Sequence, residues 1–115
     1  MPQEQDECER RLERWVSPLV DAGFRLAVLA VIRRGEVDAR EAAQNIFDYT
    51  AGMMKADEMK LARELETLVE KGYAEAHDGR YRITALGKRH MFMMLKEWNR
   101  YVDSMNNLWG CYYGS

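Results

Sequence analysis

Apolar side chains recur at helical spacing along most of the chain. The pattern predicts a polar helix over residues 3–16 and a largely apolar helix over 19–34. Ser17 and Pro18 mark the end of the first helix or a kink, and Gly35 ends the second. A helix that is apolar on nearly every side is expected to be buried, so residues 19–34 are the predicted centre of the fold.

Two shorter amphipathic helices follow, and an aspartate precedes each of them. Asp38 with Glu41 forms the pattern of a capping box, and Asp57 stands at the second N-cap. These caps predict helices over 39–51 and 58–71. The apolar face of the second helix is predicted to be buried and comprises Met59, Leu61, Ala62, Leu65, Leu68 and Val69.

The period changes from helical to alternating in the next segment. Residues 73–77 and 80–84 alternate around Asp78-Gly79, which predicts a β-hairpin, and a long final helix over 85–109 follows. The expected fold class is therefore mainly α with a small β-hairpin. Three helices followed by a hairpin are the outline of a winged helix-turn-helix, here with an added N-terminal helix and a long C-terminal helix.

The final helix carries a wider apolar stripe than a chain of 115 residues can cover with its own small core. Steps of three and four alternate along the stripe, which is the spacing of a coiled-coil seam. We therefore expect a homodimer, with residues 1–84 as the winged unit and 85–115 as the C-terminal dimerisation helix and short tail. The predicted interface consists of Met91, Met94, Trp98, Tyr101, Met105 and Leu108.

Composition fits a globular domain, since 47% of the residues are hydrophobic. The longest apolar run, residues 26–32, is too short to cross a bilayer, and the acidic N-terminus does not resemble a signal peptide. A cytoplasmic protein is therefore expected. Cys8 and Cys111 are predicted to be reduced thiols, with a disulfide between the two terminal helices as the alternative.

The sequence holds no recognisable catalytic or cofactor-binding pattern. His77 and His90 stand apart from any cysteine or carboxylate at ligand spacing, and there is no glycine-rich phosphate loop. Neither an enzymatic activity nor a metal or other cofactor is therefore expected. The net charge of −2 neither indicates nor excludes a nucleic-acid partner.

Four stretches of the sequence follow the pattern of a known family. They read RLAVLAVIRRGEVDAREAAQNI, ELETLVEKGYAEA, YRITALG and EWNRYVDSMNNL. Over roughly residues 24–109 the chain resembles the PadR-like transcriptional regulators. The first stretch corresponds to the family's first helix and the start of its second, and the second stretch to the end of the recognition helix and the first wing strand. The third corresponds to the return strand of the wing and the cap of the last helix, and the fourth to the dimerisation helix. The resemblance implies a dimeric repressor that binds double-stranded DNA and responds to an effector at its dimer interface.

The resemblance also implies which residues serve these roles. In this fold the later helix of the helix-turn-helix, the recognition helix at residues 58–71, lies in the major groove. The wing, which is the hairpin of residues 73–77 and 80–84, contacts phosphate beside it. The DNA-binding candidates are therefore Arg40, Lys55, Lys60, Arg63, Arg80 and Arg82. The alternative to DNA contact is a solvated helix face on which Lys60 pairs with Glu64 and Arg63 pairs with Glu66. An aromatic residue at the place of Trp98 can line an effector cavity in this family, so Trp98 and Met94 are effector-pocket candidates, with plain interface packing as the alternative.

The chain departs from the family pattern in the recognition helix and the wing. KLA at 60–62 stands where the family usually has Thr-Leu-Tyr, the short wing has only Arg80 and Arg82 as cations, and Asp57 and Glu58 begin the helix. A second function therefore stays open, a winged-helix protein–protein interaction module that no longer binds DNA. A positive face on the recognition helix and wing favours the regulator, and a neutral or acidic face favours the module.

Overall fold

The computed structural model describes the backbone of residues 2–114, and it describes side chains at positions 7, 8, 10, 11, 14, 18, 21 and 23–110. Four helices are present in this part of the chain, with a two-stranded antiparallel hairpin before the last of them. The predicted fold class is thereby confirmed. The elements are α1 Pro2–Arg34, α2 Ala39–Tyr49, α3 Glu58–Glu70, β1 Ala74–His77, β2 Arg80–Ile83 and α4 Ala85–Gly114.

The two helices predicted at the N-terminus form one continuous helix. α1 continues through Pro18, so the helix end, one of the two alternatives predicted at Ser17 and Pro18, is wrong, and the kink stays a prediction. A proline inside a helix removes one backbone donor and crowds the preceding turn. Long helix-forming stretches lie on both sides of this proline, and their combined backbone hydrogen bonds outweigh the loss at one position.

Aspartate side chains begin α2 and α3 as predicted. The Oδ1 atom of Asp38 accepts a hydrogen bond from the backbone N–H of Glu41 at 2.7 Å, and Asp57 accepts from Lys60 at 2.6 Å. Each bond satisfies a backbone donor that has no partner inside its helix. The Glu41 carboxylate, which would complete the predicted capping box, accepts from Arg80 instead.

The core lies at the junction of α1, α2 and α3. Its largest fully buried side chains are aliphatic, and each contributes roughly 1.5–3 kcal/mol on burial. They are Val28, Leu29, Ile32, Ile46, Leu61, Leu65 and Leu68. Met59 was predicted to share their face of α3, but it is 68% exposed because it lies across the helix from the leucines. The core therefore holds α3 by one face and leaves the other to solvent.

The hairpin is tight and is anchored to the segment between α1 and α2. Asp78 and Gly79 connect the strands, and both have positive φ, 52° and 75°, which matches the right-handed twist of the strands. Val37 adds a β-bridge to Tyr81, with N–H···O distances of 3.1 and 2.8 Å. A two-stranded hairpin is marginally stable alone, so this bridge helps to fix the wing to the helical core.

α4 begins in close contact with the turn between α3 and β1. A Cβ atom at Gly87 would lie 2.0 Å from the carbonyl oxygen of Tyr73 and 2.8 Å from a side-chain carbon of Ile83. One turn later, Met91 is 4% exposed and belongs to the hydrophobic core. The first turns of α4 therefore pack as part of that core.

Candidate DNA-binding surface and dimer interface

The outward face of α3 is defined by the leucines that anchor the opposite face. Leu61, Leu65 and Leu68 are fully buried, and the helical period places Met59 and Arg63 on the side away from them. Met59 comes two residues before Leu61, a separation of about 200° around the helix, and this spacing could have indicated its exposure. In a winged helix-turn-helix the outward face is the one that meets the major groove.

The six predicted DNA-binding cations differ in their surroundings. Arg40 lies in the first turn of α2, Lys55 lies in the turn before α3, and Arg63 lies on α3 itself. All three are exposed, and no described residue forms an ion pair with any of them. These three charges are therefore available to meet phosphate.

Lys60 is drawn away from the outward face toward α1. Its Nζ atom lies 3.2 Å from an oxygen of Asp21 and 4.7 Å from the centre of the Phe24 ring. An exposed ion pair and an exposed cation–π contact each contribute about 1 kcal/mol or less. Lys60 can therefore exchange Asp21 for a phosphate at low cost.

Carboxylates also engage the two wing arginines. Arg80 donates to Glu41 at 3.0 Å and to the backbone oxygen of Glu36 at 2.7 Å, so it joins β2 to the start of α2. The hydrogen bond that Arg80 donates to Glu41 and the negative charge of Glu41 raise the pKa of the Arg80 guanidinium above its ordinary value. Arg82 pairs at 2.8 Å with Glu75 on the neighbouring strand. The positive charge predicted on the wing is therefore largely neutralised.

The two acidic residues in the middle of α3 accept hydrogen bonds from side chains on other elements of the fold. Glu64 accepts from Arg25 on α1 at 2.7 Å, and Glu66 accepts from the hydroxyl of Tyr81 at 2.6 Å. These bonds take the place of the pairs expected along the helix. Arg63 consequently has no acidic partner among the described residues.

The bond between Tyr81 and Glu66 joins the wing to α3. The pKa of Tyr81 is raised to about 12, mainly by this hydrogen bond and secondly by burial. The hydroxyl is therefore protonated at neutral pH and donates to the carboxylate until the medium becomes strongly alkaline. This hydrogen bond consequently helps to fix the position of the wing relative to α3, and with it the positions of the side chains exposed on both.

The apolar stripe of α4 is divided between the chain's own core and solvent. Met91 is 4% exposed, Met94 packs against the core, and the Trp98 ring lies 3.7 Å from the position a Cβ on Gly23 of α1 would take. Met91 was predicted at the dimer interface, but its burial within one chain leaves it no surface for a partner. The first part of the stripe therefore packs largely within the chain, and Trp98 at its end keeps 36% of its surface exposed.

The second part of the stripe is open to solvent in the described chain. Tyr101 is 52% exposed and Leu108 is 72% exposed, while Met105 is half-buried. Nine of the thirteen exposed large hydrophobics among the described side chains lie on α4, and four of these nine are in its second part, namely Tyr101, Val102, Leu108 and Trp109. The radius of gyration is 16.9 Å, against roughly 13 Å for a compact chain of this length, as two long helices require. An apolar face of this kind marks an interaction surface.

An open groove of about 560 Å³ lies between α1 and α4. Both effector-pocket candidates, Trp98 and Met94, line it. Its volume is within the range of small-molecule sites. The rest of its wall is mostly apolar, with one carboxylate, and consists of Leu26, His90, Met93, Glu97 and Tyr101.

The part of the chain that the structure describes shows neither a metal-binding cluster nor a membrane-spanning helix. No three His, Cys, Asp or Glu side chains there are grouped closely enough to hold a metal ion. None of the described helices combines the length and hydrophobicity needed to cross a bilayer. Cys8 is exposed and free, and the side chain of Cys111 lies outside the described residues.

Comparison with known proteins supports the fold. The structure matches that of a transcriptional regulator from Clostridium thermocellum with a TM-score of 0.70 and 20% sequence identity, over 78% of this chain and 96% of that one. No protein-family model matches the sequence, and no curated protein matches it either. At this identity the likeness establishes a shared fold, and a shared fold does not by itself determine function.

Proposed function

We propose that this protein is a dimeric winged-helix transcriptional regulator of PadR-like type, a repressor that binds double-stranded DNA. The observation that carries the proposal is the outward face of α3, where Arg63 is exposed and has no acidic partner among the described residues. In this fold that face enters the major groove, and Arg40 and Lys55 lie on elements next to it in the chain. The likeness in fold to a transcriptional regulator supports the same role.

The exposed part of α4 supplies a means of pairing two DNA-binding units. A second copy of the chain is the simplest partner for Tyr101 and Leu108, because an apolar face that complements itself closes into a two-fold dimer. Two copies of α3 then address half-sites separated by about 34–36 Å, one turn of DNA. A bound dimer represses by occupying DNA that the transcription machinery needs.

Arg63→Ala combined with Lys55→Ala is expected to weaken DNA binding and to reduce its dependence on salt. Each lost phosphate contact lowers the slope of log K against log salt by about one, and a dimer loses each contact twice. The slope is measured by fluorescence anisotropy with duplexes selected from random DNA by the wild-type protein. The control, Arg14→Ala combined with Lys96→Ala, removes the same charge from exposed positions on α1 and α4.

The control separates local contact from overall charge. The two double variants have equal net charge, so equal weakening in both contradicts contact through α3. Unchanged binding by the Arg63 and Lys55 double variant at every salt concentration also contradicts it. Lys60→Ala is expected to have a smaller effect than Arg63→Ala, because Asp21 already pairs with the Lys60 ammonium group.

We further propose that the groove beside Trp98 receives a flat apolar effector. Such a ligand changes DNA affinity only if it prefers one arrangement of the dimer to the other. Planar aromatic compounds titrated against tryptophan fluorescence are expected to give saturable quenching that is lost in Trp98→Ala. Because Trp15 and Trp109 also emit, quenching that persists in this variant contradicts the assignment and leaves Trp98 with plain packing.

A protein–protein interaction module is the second candidate, and the charge of α3 favours it. Residues 58–70 hold four acidic and two basic side chains. Three of the six candidate cations are paired with carboxylates. Such a surface attracts phosphate weakly, since DNA affinity depends on unpaired positive charge. If the wild-type protein binds no duplex DNA at low salt, where attraction is strongest, this function replaces the first.

A further inference from the structure

Two side chains occupy the outward face of α3 at the end that enters the groove. Met59 lies in the first turn of α3 and is 68% exposed, and Arg63 follows one turn later on the same side. Lys60 is turned toward α1 by its ion pair, and Glu66 is turned toward the wing by its hydrogen bond. Met59 and Arg63 are therefore the side chains that project from the N-terminal part of the outward face.

The fold itself does not account for a long apolar side chain at position 59. The leucines on the opposite face already complete the packing of α3, and each of them is fully buried. The N-terminal residues of a recognition helix are the ones that contact base edges. In the major groove, the one apolar group on a base edge is the C5-methyl group of thymine, whereas arginine bonds guanine O6 and N7.

We propose that Met59 is a specificity-determining residue that contacts a thymine methyl group in the major groove. The inference rests on the proposed DNA-binding function. Arg63 anchors the same face at a guanine or a phosphate, and the unbranched thioether chain of Met59 adapts to the position of the methyl group. The rise from Met59 to Arg63 is about 6 Å, so the two contacts fall within roughly two base pairs of each other.

The test uses duplexes selected from random DNA by the wild-type protein, in which each thymine is replaced in turn by deoxyuridine. Deoxyuridine lacks only the methyl group, and burying one such group changes affinity by roughly fourfold. The wild-type protein is expected to lose about this factor for each half-site at one position, measured by fluorescence anisotropy. Met59→Ala is expected to bind the thymine and uracil duplexes equally.

Met53→Ala is the matched control. Met53 is 66% exposed, like Met59, but it lies in the turn before α3, so its removal is expected to leave the thymine preference unchanged. A thymine preference that persists in Met59→Ala overturns the inference and leaves DNA binding intact. Equal binding of thymine and uracil duplexes by the wild type does the same. Failure of the wild type to bind any duplex at low salt overturns the proposed function as well and points to a protein partner.

Discussion

Tyr101→Glu combined with Leu108→Glu should convert the proposed dimer into a folded monomer at micromolar concentration. Both side chains are more than half exposed in the single chain, so the substitutions cost the monomer little. In the proposed interface they place four carboxylates against apolar surface, and burying an unpaired charge is strongly unfavourable. We expect the dissociation constant to rise a thousandfold or more, about 4 kcal/mol. Light scattering measures the mass, and circular dichroism verifies the helix content.

Asn99→Glu combined with Asn107→Glu is the matched control for this experiment. It adds the same charge to α4 on the side away from the stripe and is expected to remain dimeric. A wild-type protein that is monomeric at the same concentration contradicts the proposed dimer. Dimerisation by the Tyr101 and Leu108 double variant would place the interface elsewhere. Trp98 is less suitable for the test, because it packs over Gly23 of its own chain.

Gly87→Ala should lower the free energy of unfolding by roughly 2–4 kcal/mol. The added Cβ would lie 2.0 Å from the carbonyl oxygen of Tyr73 and 2.9 Å from its carbonyl carbon. A backbone carbonyl cannot turn aside as a flexible side chain does, so α4 has to move away from the turn between α3 and β1. Because small domains are stable by only about 5–15 kcal/mol, the loss is readily measured by chemical denaturation.

Gly110→Ala in the same helix is the control for Gly87→Ala. Nothing lies within 4 Å of a Cβ added at Gly110. Alanine also favours the helix over glycine by roughly 0.5–1 kcal/mol, so this variant is expected to be unchanged or slightly more stable. Equal stability of the two variants would contradict the close approach of α4 to Tyr73.

Features that depend on neighbouring residues were predictable from the sequence. Asp38 and Asp57 begin their helices because a cap involves residues only three positions apart, and the Asp78-Gly79 turn follows from the φ angles that these residues tolerate. Of the two alternatives predicted at Pro18, the helix end was wrong because a local signal was outweighed by the helix around it.

The charge state of the candidate site could not be predicted, because its partners are distant in sequence. Glu64 binds Arg25 and Glu41 binds Arg80, each across 39 positions. Local rules pair Glu64 with Lys60 of its own helix and place Glu41 in a capping box with Asp38. Only the packing of α1, α3 and the wing determines which cations keep an available charge.

The same limit applies to the stripe on α4. Met91 and Leu108 share its spacing, yet one is buried in the core and the other is 72% exposed. The period of a helix reveals an apolar face. It does not reveal how far along that face the chain's own core extends.

α4 runs without a break from the core of the winged unit to the surface proposed for the partner. Its 30 residues form a helix about 45 Å long. Because one end of this helix is packed in the core, a small tilt there moves the far end by a larger distance. A tilt of roughly 5° moves a point about 30 Å away by roughly 2.6 Å, close to the ~3.4 Å rise of one base pair. In the proposed dimer the stiffness of α4 therefore determines how narrow a range of half-site spacings the two copies of α3 can bind. A small change in the crossing angle of the two α4 helices alters the preferred half-site spacing without disturbing any contact inside the winged unit.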